Sequence, residues 1–251
     1  MNIDYKFGLV SISFRQHTPE QIIEAVANAG LSCIEWGSDI HAPCTNREQL
    51  IRIAELQGQY GIECSSYGTY FRLGVDPTDE LPQYIKAAKL LGTDVLRLWC
   101  GNKNLSECTE SEKEALLDAC EKAERIAREQ GVVLCMECHH GTLTENPADT
   151  VMLMERISSP HFRMYWQPFQ WCEPEQNIEY ASKICKYTEH IHVFNWKSFE
   201  ERYPLGDAHE VWQKYLSCFD GPRTLLLEYL PHDRIEDLPR EALALKSIAQ
   251  G

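Results

Sequence analysis

Eight strand–helix units in 251 residues predict an α/β fold, a single (β/α)8 barrel spanning residues 1–251. Three observations carry this prediction. Short β-rich runs alternate with amphipathic runs along the whole chain. Several of the amphipathic runs stop at a glycine just ahead of the next β-rich run, at Gly30, Gly61, Gly92 and Gly131. The competing open doubly wound sheet normally carries a Gly-rich phosphate loop after its first strand. Here Ser11-Ile12-Ser13 is followed by Phe14-Arg15-Gln16-His17. No linker, low-complexity stretch or repeat beyond the βα rhythm divides the chain, so one domain is expected.

The expected strands are Lys6–Ser13, Ser32–Trp36, Ile62–Tyr67, Val95–Trp99, Val132–Glu137, Phe162–Trp166, His190–Asn195 and Thr224–Tyr229. They are short, rich in β-branched, aromatic or Leu residues, and preceded by turn formers. The first helix announces itself with Thr18 as N-cap, Pro19 at the first helical position and Glu20 in the first turn. The apolar positions Ile22, Ile23, Ala25, Val26 and Ala29 follow. Further helices are expected over about Arg47–Tyr60, Thr78–Leu91, Ser111–Gln130, Asn146–Ile157, Pro174–Tyr187, Ala208–Phe219 and Glu236–Ala249.

Composition narrows the function. The chain holds 24 Lys and Arg against 38 Asp and Glu, a net charge of −14. Phosphate backbones are bound by Lys and Arg gathered on one face, so this balance argues against nucleic acid and against anionic lipid. An apolar fraction of 43% supplies a buried core and excludes a disordered chain. No run approaches the roughly 18 consecutive apolar residues of a membrane span. Met1 to Ser13 lack the basic start, long apolar stretch and cleavage site of a secretory signal. The eleven cysteines are odd in number, and most sit in apolar or helical stretches, as Cys33, Cys64, Cys120 and Cys185 do. They read as small hydrophobes in a reducing compartment, not as a disulfide framework. A cytoplasmic location is the expectation.

In such a barrel the active site lies at the C-terminal ends of the strands. Strand alternation sorts the residues found there. Glu137 shares a face with Cys135, Glu228 with Leu226, His192 with His190, and Gln167 with Tyr165. Glu137, Gln167, His192 and Glu228 therefore project into one mouth from four consecutive strands, which lie about 4.8 Å apart. Two carboxylates, an imidazole and an amide oxygen suit one divalent cation: Mn²⁺, Mg²⁺ or Co²⁺, with Zn²⁺ as a further option. Buried acids demand compensation, by a cation or by an ion network with Arg97 and Lys103. The other strand-end residues are candidates for substrate contact: Glu35, Trp36, His41, Tyr67, Arg97, Trp99, Lys103 and His139. Trp36 and Trp99 suit an apolar wall for a sugar ring, whereas Trp166 alternates outward and reads as packing. Cys135 and Cys138 point to opposite faces of one strand, which argues against a shared metal or a redox pair.

The sequence also resembles a known family, the xylose isomerase-like TIM-barrel superfamily, in its sugar phosphate isomerase/epimerase branch. The resemblance rests on Thr18-Pro19-Glu20-Gln21-Ile22-Ile23, on Gly30-Leu31 through Ile34-Glu35-Trp36-Gly37 with His41 and Pro43, and on Leu96-Arg97-Leu98-Trp99-Cys100-Gly101. It continues through Glu137-Cys138-His139, Gly141-Thr142-Leu143-Thr144, His190-Ile191-His192 and Leu227-Glu228-Tyr229. It implies a metal-dependent isomerase or epimerase with Glu137, Gln167, His192 and Glu228 as ligands. The two Glu would be the proton-transfer catalysts. The family's strand 6 Asp is here Gln167, and Gln170 stands where epimerases of the family carry a substrate-binding His. Arg202 is the nearest counterpart of their sugar-contacting Arg. The implied partner is a small sugar or polyol, with a homo-oligomer compatible. Two other readings belong to the same scaffold. One is a metal-poor, non-catalytic sugar-binding barrel. The other is an apurinic/apyrimidinic endonuclease-like hydrolase, for which Asp207-Ala208-His209 is the superficial match.

Overall fold

Residues 4–198 and 200–250 are described by a computed structural model, which closes eight parallel strands into a barrel in sequential order. The strands are β1 (Lys6–Val10), β2 (Cys33–Gly37), β3 (Glu63–Leu73), β4 (Val95–Cys100), β5 (Val133–Glu137), β6 (Phe162–Trp166), β7 (Thr188–Val193) and β8 (Thr224–Leu227). Closure comes from the pairing of β1 with β8, Gly8 opposite Leu226. Around the barrel run α1 (Pro19–Asn28), α2 (Arg47–Tyr60), α3 (Leu81–Leu91), α4 (Glu110–Gln130), α5 (Pro147–Ile157), α6 (Pro174–Ile184), α7 (His209–Leu216) and α8 (Leu238–Ala249). The expected fold class is the observed one. No described helix is long and apolar enough to cross a membrane.

Local signals place the helices. Thr18 and Gln21 form a reciprocal capping box, with Pro19 at the first position of α1. Gly61 and Gly131 end α2 and α4 in the left-handed region, at φ 66° and 65°, where any other residue is strained. Outward residues of the strands pack on these helices. Trp166 packs against Trp212, Tyr215 and Phe219. The barrel interior holds a smaller apolar layer that includes Val10, Cys33, Cys135, Tyr165 and Leu226. Cys135 belongs to that interior and Cys138 to the outer layer, and all eleven cysteines are free thiols.

Four strands differ from expectation by two residues or more: β7 (Thr188–Val193) lies two residues earlier than expected, and the other three differ for local reasons. β1 stops at Val10, and Ser11–Phe14 form a 3₁₀ turn. The Ser11 hydroxyl accepts from the Gly37 N–H at 2.9 Å, and the Ser13 hydroxyl accepts from the Tyr229 N–H at 2.9 Å. These bonds turn the chain across the mouth instead of letting it run on. β3 continues six residues past its expected end, to Leu73, because Arg72 and Leu73 pair with Trp99 and Cys100 of β4. A bulge also inserts Ser65 opposite the Ile34–Glu35 step, so that Ser66 rather than Ser65 faces Glu35. β8 ends at Leu227, which leaves Glu228 and Tyr229 just beyond the strand.

Two glycines test this packing in opposite directions. A Cβ on Gly8 would meet the Cys33 carbonyl at 2.4 Å and Leu226 Cδ2 at 2.7 Å. Gly8→Ala is expected to cost about 1–3 kcal/mol through overpacking. Gly58 lies on the exposed side of α2, and its Cβ would meet nothing within 4 Å. Gly58→Ala is expected to gain about 0.5–1 kcal/mol. Urea titration of both variants checks the pair of signs.

Candidate active site

The ends of β5 to β8 bring four polar side chains to one point. Donor atoms of Glu137, His192 and Glu228 all lie within 4.8 Å of one another, and all three residues are buried. His192 Nδ1 lies 3.4 Å from Glu137 Oε1, 3.7 Å from Glu228 Oε2 and 3.2 Å from Gln167 Oε1.

Most of these donors are aimed by a bond made behind them. His192 Nε2 faces Glu35 Oε2 at 3.3 Å, which turns Nδ1 to the cluster. Gln167 Nε2 donates to the Cys138 carbonyl at 3.0 Å, which leaves Oε1 facing His192. Glu137 Oε2 accepts from Arg97 Nη1 and Trp99 Nε1, which leaves Oε1 for the cluster. Glu35 in turn accepts from Arg97 Nε at 2.8 Å and from the Ser66 hydroxyl at 3.1 Å. Gly68 makes room for that pair, since a Cβ there would meet Glu35 Oε1 at 2.4 Å and Arg97 Nη2 at 3.0 Å.

The electrostatics follow from burial. Burial raises the Glu35 and Glu137 carboxyls, but Arg97 and His192 outweigh it and hold both well below the usual range. Burial also raises Glu228, the neighbouring Glu137 charge adds to it, and the group reaches about 7. His192 goes the other way. Burial lowers it, but Glu228, Glu35 and Glu137 overcome that and lift it to about 10. Three carboxylates against one guanidinium leave two negative charges inside the barrel. Two protons, on His192 and Glu228, neutralise them, and so does one divalent cation. A set of acceptors facing one another, with their other atoms tied back, fits such an ion. Glu137, His192, Glu228 and Gln167 are the residues that would hold it.

The remaining expected site residues divide into two groups. Arg97, Trp99, His139 and Gln170 line the cavity above the cluster. Six others lie elsewhere. Glu35 is fully buried beneath the cluster, roofed by Arg97 and His192. Trp36 points outward and donates to Gln57 of α2. Tyr67 also points outward, because the β3 bulge shifts the alternation, and its hydroxyl donates to the Ala42 carbonyl at 2.6 Å. His41 is buried between the Ser11 hydroxyl and the His17 carbonyl, at 3.1 and 3.2 Å. Lys103 pairs with Glu112 at the surface, because Gly101 at φ 79° turns the chain over α4. Arg202 pairs with Asp233 and lies over the Tyr229 ring at 4.8 Å, so it lines a smaller cleft that adjoins the cavity through Ile12, Arg15 and Tyr229. Asp207 and His209 line a surface cleft apart from the cluster.

The cavity itself measures about 610 Å³. Arg15, Tyr70, Phe169 and Trp171 line it although strand alternation did not select them. Tyr70 arrives on the unexpected extension of β3. Phe169 and Trp171 follow inward-facing Gln167 by two and four positions, a proximity in sequence that was the available signal.

Fold and site together define a (β/α)8 barrel with a buried carboxylate–imidazole cluster at its C-terminal mouth. The chain belongs to the family of xylose isomerase-like TIM barrels, whose profile matches residues 23–248. Solved structures agree on the fold. A probable 3-DHS dehydratase from Bacillus anthracis superposes with a TM-score of 0.77 at 17% identity, over 96% of this chain and 98% of the other. D-psicose 3-epimerase with D-tagatose from Clostridium cellulolyticum H10 gives 0.71 at 15% identity, over 96% and 97%. A xylose isomerase-like TIM barrel protein from Mycobacterium smegmatis, in complex with magnesium, gives 0.72 at 12% identity, over 98% and 97%. Among curated proteins none matches the sequence significantly.

Two outcomes are expected of this geometry. Glu35→Gln removes the carboxylate that orients His192, and Mn²⁺ affinity should fall about 10- to 100-fold. Calorimetric titration reads the change, and an unaltered affinity would separate Glu35 from the cluster. Mn²⁺ should also displace the protons on His192 and Glu228, about one to two per ion at pH 7, with affinity weakening from pH 8 to pH 6. Titration in two buffers of different ionisation enthalpy counts those protons.

Proposed function

We propose that this chain is a divalent-metal-dependent isomerase or epimerase of a sugar, sugar phosphate or inosose, moving a proton between neighbouring carbons through an enediolate. The observation that carries the reading is the convergence of Glu137, Gln167, His192 and Glu228, with three of the four tied from behind by Glu35, Cys138, Arg97 and Trp99. A bound Mn²⁺, Mg²⁺, Co²⁺ or Zn²⁺ would polarise the carbonyl and hydroxyl oxygens of the substrate. Glu137 and Glu228 are assigned to removing and returning the proton. Arg97 and Trp99 hold one oxygen of Glu137 in place, which fixes the orientation of the whole carboxylate at the cluster. Magnesium in the Mycobacterium barrel and D-tagatose in the Clostridium epimerase support this assignment. The Bacillus dehydratase keeps elimination of water as a neighbouring outcome of the same proton abstraction. The charge of −14 and the eleven free thiols support a small neutral or metal-complexed partner in a reducing, cytoplasmic setting.

The test is a screen of free ketoses, aldoses and inososes with Mn²⁺ in deuterated water. NMR should show solvent deuterium entering one carbon of a substrate. Glu137→Gln and Glu228→Gln keep size and an oxygen donor but remove the base, and each should slow exchange about 10²- to 10⁴-fold. Retention of most of the exchange in either variant contradicts its role. Gln167→Asp adds a carboxylate on a shorter stem and should tighten Mn²⁺ about tenfold, or about 1.4 kcal/mol. An unchanged or weaker affinity would assign Gln167 to substrate instead.

A further inference from the structure

The cavity is larger than one sugar ring needs. A hexose displaces about six waters, on the order of 180 Å³, against a cavity of about 610 Å³. Among its lining residues the chain presents an indole to solvent. Trp171 is 56% exposed, the most exposed tryptophan among the described residues, and it lines this cavity. Large exposed apolar groups are informative only where something holds them in place. Here the loop is clamped. The buried Asn177 side chain accepts from the Phe169 N–H at 2.8 Å and donates to the Phe169 and Cys172 carbonyls at 3.0 and 3.4 Å. Phe169 backs the indole at 5.0 Å with 31° between the rings, and itself stacks on Tyr180 at 5.9 Å and 24°. His140 meets the indole edge-on at 5.0 Å, its own Nδ1 held by Glu145 at 2.9 Å. Trp99, by contrast, is already covered by Arg72 at 4.2 Å and by the His139 ring at 4.5 Å.

A rigid, half-exposed indole beside a hydrogen-bonding imidazole matches a pyranose, which offers an apolar C–H face and a rim of hydroxyls. The clamped loop means that little ordering remains to be done when a ring settles on it. We propose that Trp171 and His140 form an outer subsite for a second sugar ring, so that the substrate is a two-ring saccharide with its carbonyl-bearing ring at the Glu137–His192–Glu228 cluster. The proposal rests on the isomerase reading for its inner ring only. Two sources supply this chemistry: reducing disaccharides, whose inner ring opens to a carbonyl, and glycosides already oxidised to a ketone within the ring.

Binding separates the two ideas from catalysis. Tryptophan fluorescence and calorimetry with Mn²⁺ present would compare cellobiose, maltose and lactulose with glucose and fructose. A second arm would compare 3-keto-sucrose, a two-ring keto-glycoside, with methyl 3-keto-glucoside. At least one two-ring ligand should bind about tenfold tighter than its one-ring counterpart, and the arm in which it appears names the source. Trp171→Ala should remove that advantage with the circular dichroism and Mn²⁺ titration unaltered, and Trp171→Phe should restore most of it. Equal affinity of one- and two-ring ligands, absence of binding by every two-ring ligand, or an advantage that survives Trp171→Ala overturns the subsite. An intact advantage without deuterium exchange rejects the isomerase reading alone.

Discussion

Three carboxylates and one guanidinium inside a closed barrel set the constraint on which the upper half of this molecule depends. Glu35, Glu137 and Glu228 are nearly or wholly withdrawn from water, and Arg97 balances only one of them. An unpaired buried charge is costly, so neighbours are recruited to share it. The vacancy at Gly68 admits the guanidinium, the β3 bulge turns Ser66 toward Glu35, and the Trp99 indole N–H takes part of the Glu137 charge. His192 is threaded between Glu35 below and Glu137 and Glu228 beside it. The deficit that remains is what a doubly charged guest would neutralise.

The barrel translates this local demand into geometry. Parallel strands hold neighbouring ends at fixed spacing, so groups on β5 and β7 and directly after β8 meet at one point. Behind the cluster the hydrogen bonds run downward into the barrel, from His192 to Glu35 and on to Ser66 and Tyr165 at 2.8 Å. Above it the connecting segments carry rings. Tyr229, held at φ 52° with its N–H on the Ser13 hydroxyl, stands edge to Trp196 at 5.5 Å. Rigid chemistry below and aromatic walls above is the division of labour that this topology favours.

Much of this was readable before any coordinates. The βα rhythm and the glycine stops define the barrel, and period-two alternation selects Glu137, Gln167, His192 and Glu228, which lie at or just past the C-terminal ends of β5 to β8. Strand-end position is a weaker guide and misplaces Tyr67, since a one-residue bulge reverses the facing of everything after it and leaves no mark in composition. It also overrates Trp36, His41 and Lys103, which follow strand ends in sequence yet turn outward or pack down in space. Glu35 is a subtler case. Its inward facing is legible, but its depth depends on Arg97 and His192 closing over it, a tertiary fact. Trp171 and Arg15 sit on connections, whose paths no periodicity encodes.

The Asn177 clamp has a consequence for how such a molecule changes over generations. Of the cluster residues, Glu137 and His192 lie on strands and Gln167 and Glu228 directly follow strand ends, so substitution there disturbs packing and charge at once. The outer rings ride on a segment of four residues, 169–172, fastened by one amide to the start of α6. Replacements at the indole alter what the mouth admits while the anchor and the strands stay as they are. A lineage could therefore vary its mouth at position 171 while inheriting the Asn177 anchor and the buried cluster unchanged.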